Sequence, residues 1–148
     1  MPDSFFTDNA QAIASDVDRI MTGAKDVVSH VEALPHVTTH PESRSWAERT
    51  AQRIRADWDH LVRSVQAADD VGFDVAMHSF LGAVRLLAEA PLIIRGVVKE
   101  IMSKLDALAS DFHLSMPPTT ANLGFGFSSP GMASGLAIYR EQMAPALG

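Results

Sequence analysis

Three stretches of this sequence carry residue types able to hold a metal or a phosphate, and each lacks part of what the chemistry requires. Asp57-x-x-His60 is the nearest approach to the Glu-x-x-His spacing with which helical bundles hold paired metals. In the four-three register of their helix, Asp57 and His60 flank the apolar seam rather than fill it. Asp16, Asp18, Glu32, Glu89, Glu100 and Asp106 likewise avoid the inward positions. His36-x-x-x-His40 has the i, i+4 spacing of two zinc ligands on one helix face, but Pro35 and Pro41 bracket it and argue for a loop. Gly124-Phe125-Gly126 opens like a phosphate-cradling loop, without the downstream Gly, the Lys or the preceding strand. His30, His78 and His113 stand alone and read as surface or boundary residues. The serines have no interpretable His and Asp partners. With no cysteine, disulfides, thiolate metal sites and cysteine nucleophiles are excluded. The expectation is a protein with no catalytic residue, no metal and no cofactor, and no enzymatic activity.

Composition narrows the partners. At 148 residues and 47% hydrophobic content the chain can bury a core without staples. A net charge of -6, with no run of Lys or Arg, opposes wrapping a phosphate backbone, so no nucleic-acid partner is expected. The first residues, MPDSFFTDNA, lack the basic and apolar regions of a signal peptide. The expected location is the cytoplasm or a particle assembled inside the cell. The most apolar window, Phe80 to Met102, contains Arg85, Glu89, Arg95, Lys99 and Glu100, too many charges for a transmembrane segment. A hydrophobic surface remains an admissible partner for an amphipathic bundle that opens onto it.

What the sequence does specify is a set of helical seams. Phe73, Met77, Phe80, Val84, Leu87, Pro91, Ile94, Val98, Ile101, Leu105, Leu108 and Phe112 repeat four-three without a slip. Ile13, Val17, Ile20, Ala24, Val27, Val31 and Leu34 give a second seam, on a helix expected from Asp8 to Leu34 with Thr7 or Asp8 as N-cap. Ala47, Ala51, Ile54, Trp58, Leu61, Val65 and Ala68 give a third, opening at Pro41 and ending near Gly72 as a C-terminal cap or turn. On its outer face Arg53–Asp57, Arg55–Asp59 and Asp59–Arg63 are spaced for surface pairs. Trp58 reads as a core anchor and Trp46 as its boundary neighbour. Pro91 either kinks one long helix or separates two antiparallel ones. The unbroken phase, and the lack of Gly, Asn, Asp or Ser from Leu86 to Ala90, favour the kink. Uninterrupted, 73 to 113 would span about 60 Å against roughly 40 Å for the other two helices.

The expected architecture is all-α: an antiparallel helical hairpin plus a long helix kinked or broken at Pro91, a three- to four-helix bundle over 1–114. Residues 115–148 hold five of the nine glycines and four of the eight prolines, and read as an extended C-terminal arm with a short helix from Met132 to Met143. Leu92, Ile93 and Val97 give the long helix more apolar surface than one stripe requires, and Gly82 and Gly96 are small where a neighbouring helix would approach. Phe125, Phe127, Ile138 and Tyr139 are apolar anchors along the arm, which either folds back over the chain's own bundle or docks on a neighbouring subunit. Together these nine residues are the expected partner-binding set. The leading functional expectation is a structural or adaptor subunit of a larger assembly, of the kind of a virion-type particle, a multi-subunit complex or a granule coat, self-associating through the long helix and the arm. The alternative is a small helical regulator or chaperone-like protein that offers the same groove to another protein. A ligand-carrying or enzymatic bundle ranks third.

Overall fold

The computed structural model describes residues 2–115 and 131–143, with side chains from Ala10 onward. The protein is all-helical, and no strand occurs among the described residues. Among the described residues five α-helices follow in order: α1 (Pro2–Ala33), α2 (Pro41–Gln66), α3 (Asp70–Arg85), α4 (Arg95–Ser115) and α5 (Met132–Gln142). Apolar side chains from all five enclose one continuous core.

The seams forecast that core closely. Every member of the 73–112 series is buried except Pro91, which is half-buried, and the whole series from Ile13 to Leu34 is buried. In the α2 series only Ala68 escapes full burial. Trp58 is buried with its ring 6.5 Å from that of Phe80, and Trp46 is half-buried at the margin.

Element boundaries depart from expectation at three places. The first helix begins at Pro2, not Asp8, and proline suits a first helical turn because its missing N–H has no partner to lose there. At the end of α2, Ala68 and not Gly72 takes the left-handed conformation, at φ 51°. The Ala68 N–H donates to the Val65 carbonyl and that of Asp69 to Ser64, the paired bonds of a Schellman cap. Gly72 instead lies inside α3, where its N–H donates to the Asp69 Oδ1 cap at 2.9 Å.

The third departure concerns Pro91. The 73–113 stretch is not one kinked rod: α3 stops at Arg85 and α4 starts at Arg95, each preceded or followed by a short 3-10 turn. Ala90 and Pro91 both adopt extended backbone, with ψ of 144° and 146°. Proline disfavours the helical conformation for the residue before it, and here two extended residues turn the chain. The reversal needs no positive φ and therefore none of the usual turn residues. The ring of Phe73 accordingly lies 6.3 Å from that of Phe112, so α3 and α4 run antiparallel. At 16 and 21 residues they are about 24 and 32 Å long, and no part projects as a 60 Å rod would.

One stretch among the described residues, Asp70–Glu89, is long and apolar enough to cross a bilayer by length and composition, with mean hydropathy 1.3. Half of its window is buried inside the protein, and Phe73, Met77, Phe80 and Val84 belong to the core. Those properties are what a core helix also requires.

Candidate interaction surface

The reversal at Pro91 divides the apolar residues around it into two sets. Leu87, Ala90, Ile94 and Val98 point inward and are buried. Leu92, Ile93 and Val97 point outward, 80%, 63% and 39% exposed. Backbone and side-chain bonds hold the turn in shape. The Ala90 N–H donates to the Leu87 carbonyl at 3.0 Å and the Ile94 N–H to the Pro91 carbonyl at 3.1 Å. The Arg95 guanidinium reaches back to donate to the Ala90 carbonyl at 2.9 Å. The outward residues therefore sit on a fixed scaffold, and their exposure is not the fraying of a loose end.

Gly96 is exposed beside them, and a Cβ there would meet nothing within 4 Å; the same holds for Gly82 on α3. Next to the 3-10 turn lies a cavity of about 270 Å³ lined by Trp46, Arg49, Thr50, Arg53, Leu86 and Glu89. Arg85, Glu89, Lys99 and Glu100 are exposed and supply charges of both signs around the apolar centre. The three outward apolar side chains thus form an apolar centre with a charged surround.

The remaining residues singled out from the sequence fall elsewhere. Phe125 and Phe127 lie outside the described residues. Tyr139 is wholly buried and Ile138 half-buried against the same core, so of the two courses open to the arm α5 takes the one over its own chain, and Tyr139 is not presented to a neighbour. The reason is a close fit between α5 and α1: a Cβ at Gly135 would collide with the Ile13 side chain and lie 3.2 Å from the Ala10 carbonyl oxygen. Met132, Leu136 and Tyr139 fill the space on either side. The Arg140 guanidinium donates to the Gln66 carbonyl at 2.7 Å, which satisfies a free end of α2.

Two polar atoms in this seat have no hydrogen-bond partner among the described residues, the Tyr139 hydroxyl and Asp18 Oδ1. Burial, and then the negative charge of Asp18, push the Tyr139 phenol up to about 12. Across the protein, Arg19 clasps Asp111 with Nε–Oδ2 at 2.7 Å and Nη2–Oδ1 at 2.9 Å, and its Nη2 also donates to the Ser115 hydroxyl at 2.7 Å. That clasp holds the Asp111 carboxyl below its ordinary range. Sequence inspection misses both features, because their members lie on different helices and no local spacing relates them.

Several of the histidines and acids singled out above make local contacts within the fold. His40 caps α2, its Nδ1 accepting from the Ser43 N–H at 3.3 Å. Asp57 accepts from the Ser79 hydroxyl at 3.3 Å, and His60 is exposed. The His78 ring packs edge-on against Phe112, with centroids 5.5 Å apart. Among the described residues no three His, Asp or Glu side chains converge as metal ligands. A cavity of about 390 Å³ beside Pro35 and Ala51 is rimmed by Glu32, Glu48 and Asp59, but Arg55 pairs with Glu32 at 3.1 Å and Asp59 at 3.4 Å. No protein-family model, curated protein or solved structure matches the chain.

Proposed function

We propose that this protein is a non-enzymatic structural or adaptor subunit of a larger assembly: a helical bundle that associates through the apolar turn at Leu92, Ile93 and Val97 and through its C-terminal arm. A virion-type particle, a multi-subunit complex or a granule coat is the kind of assembly meant. The observation that carries the reading is the exposure of Leu92 and Ile93, 80% and 63%, on a turn held rigid from both sides. Apolar side chains fixed in water gain free energy when a partner covers them. Covering Leu92, Ile93 and Val97 is worth on the order of 4 kcal/mol per copy, scaled from about 1.5–3 kcal/mol for a whole aliphatic side chain. Association itself costs at least about that much, so one such turn supports weak pairing and a lattice of repeated contacts supports more.

The test is the mass of the full chain by sedimentation from about 10 μM to about 1 mM, the range in which contacts of this strength are populated. Association of the native chain, cut back to small oligomers that form only toward the upper end of that range in a Leu92→Glu, Ile93→Glu variant that keeps its melting temperature, is the expected result. Both positions are exposed, so the variant should fold with a stability change within about 0.5 kcal/mol. A native chain that stays monomeric throughout, or association indifferent to the two substitutions, would overturn the reading.

A further inference from the structure

We infer that α5 is an exchangeable segment, and that its seat on α1 and α2 accepts the α5 of a second copy of this chain as well as its own. The inference deepens the assembly reading above by naming what the arm binds and where. It begins from the seat, which is shaped for this helix: Gly135 lies against Ile13 and the Ala10 backbone, Met132, Leu136 and Tyr139 are buried, and Arg140 caps α2. An 11-residue helix is too short to persist alone in water, so α5 is helical because it is seated. Nothing in that set of contacts depends on which copy supplies α5.

The connection decides what is reachable. α4 ends at Ser115, beside Arg19 of α1, while Gly135 of α5 sits at Ala10 and Ile13. Tyr139 lies by Asp18, so α5 runs parallel to α1 and its start at Gly131 lies roughly 15–20 Å from Ser115, on the order of ten to thirteen helical residues along α1. Residues 116–130 join these points. Their contour length is about 50 Å, some threefold what closure within one chain requires. A neighbouring seat is therefore within reach without stretching.

The seat also carries a built-in weakness. The Tyr139 hydroxyl and Asp18 Oδ1 are buried without partners among the described residues, and unsatisfied groups of this kind lower the cost of departure. Because the contacts are the same either way, the balance between own and exchanged seating is set by concentration: a tethered segment acts as if present at about the millimolar level. Dilute chains keep their own α5, and copies packed into an assembly trade it.

The chain has no cysteine, so single dyes can be placed on the full-length protein through Ser134→Cys in one preparation and Ala12→Cys in another, both exposed positions. Both preparations carry Leu92→Glu and Ile93→Glu, so that failure of the apolar-turn contact and failure of exchange are read separately. Energy transfer between copies that grows as the mixture is raised toward about 1 mM is expected, and its absence at that concentration overturns the inference. A second variant, deleting 117–129, leaves a connection of about 10 Å, too short for a chain to reach its own seat. It should sediment at twice the monomer mass or more, and revert to monomer when Gly135→Leu is added. A monomeric deletion variant, or a dimer that ignores Gly135→Leu, refutes exchange.

Discussion

Replacing Tyr139 by phenylalanine should leave the protein as stable at neutral pH, or slightly more so, and markedly more resistant to alkali. The hydroxyl is wholly buried and makes no hydrogen bond among the described residues, so removing it discards a desolvated polar group and leaves the ring in place. Burying such a group costs about 1–3 kcal/mol, of which a gain up to about 1 kcal/mol is expected once the small gap left by the oxygen is counted. The alkaline effect follows from linkage. The phenol titrates near 12 in the folded protein against 10.0 for the ordinary group, so the native state holds its proton more tightly than the unfolded chain does. Stability from this source is complete below pH 10 and declines as pH rises through 12. The loss is at most about 3 kcal/mol, at about 1.4 kcal/mol for each tenfold difference in proton affinity between the folded and unfolded states. Urea unfolding followed by circular dichroism at pH 7, 9, 10, 11 and 12 separates the cases, since lysine titration is common to both proteins and cancels in their difference. The native-minus-variant difference should stay flat to pH 9 and then move in favour of Tyr139→Phe. Destabilisation by more than about 1 kcal/mol at pH 7 would show that the hydroxyl is bonded after all and would refute the reasoning.

Two further substitutions test the clasps and caps. Asp111→Asn should cost no more than about 1 kcal/mol at neutral pH, because Arg19 is half exposed and its bidentate pair is partly screened; the loss should shrink in high salt. Since the Asp111 carboxyl is lowered in the folded state, its contribution is present above the unfolded pKa and fades as pH falls through the folded one, so the two proteins should converge in acid denaturation. Ala68→Gly should stabilise by about 0.5–1 kcal/mol in thermal or urea unfolding, as Ala68 holds φ 51° in a Schellman cap where glycine has no steric penalty. A neutral or destabilising Ala68→Gly would mean that chain entropy outweighs the relief.

How much of this was legible in the sequence follows from what periodicity measures. A four-three repeat reports which face of a helix is inward, and the residues from Phe73 to Phe112 kept that phase because α3 and α4 turn the same kind of stripe to the same core. It says nothing of direction, so a reversal at Pro91 and a kink at Pro91 write the same pattern. The deciding fact was the restriction proline places on Ala90, which supplies a turn without Gly or Asn. At the next connection, Asp69-Asp70-Val71-Gly72 reads equally as an ending or a beginning, and the beginning won because Asp69 could cap Gly72 while Ala68 absorbed the strain. The outward set was legible in part. Leu92, Ile93 and Val97 stood out as surplus to one stripe and are exposed, whereas Tyr139 looks like an anchor for a partner in sequence and is a core residue in its own chain.

The two surfaces gain meaning from their placement. The apolar turn lies beside the start of α2, at Trp46 and Arg49, whereas α5 sits by the end of α2, at Gln66. The 17 to 20 residues of α2 between those marks span about 26–30 Å, so a partner covering one does not obstruct the other. If the turn pairs with its like about a twofold axis, it joins two copies and stops, since such a contact consumes the same patch on both. Exchange of α5 at the far end then supplies the second linkage that a growing structure needs. Silencing either surface alone should therefore leave small closed oligomers, while silencing both leaves monomers, and extended assemblies require the two together.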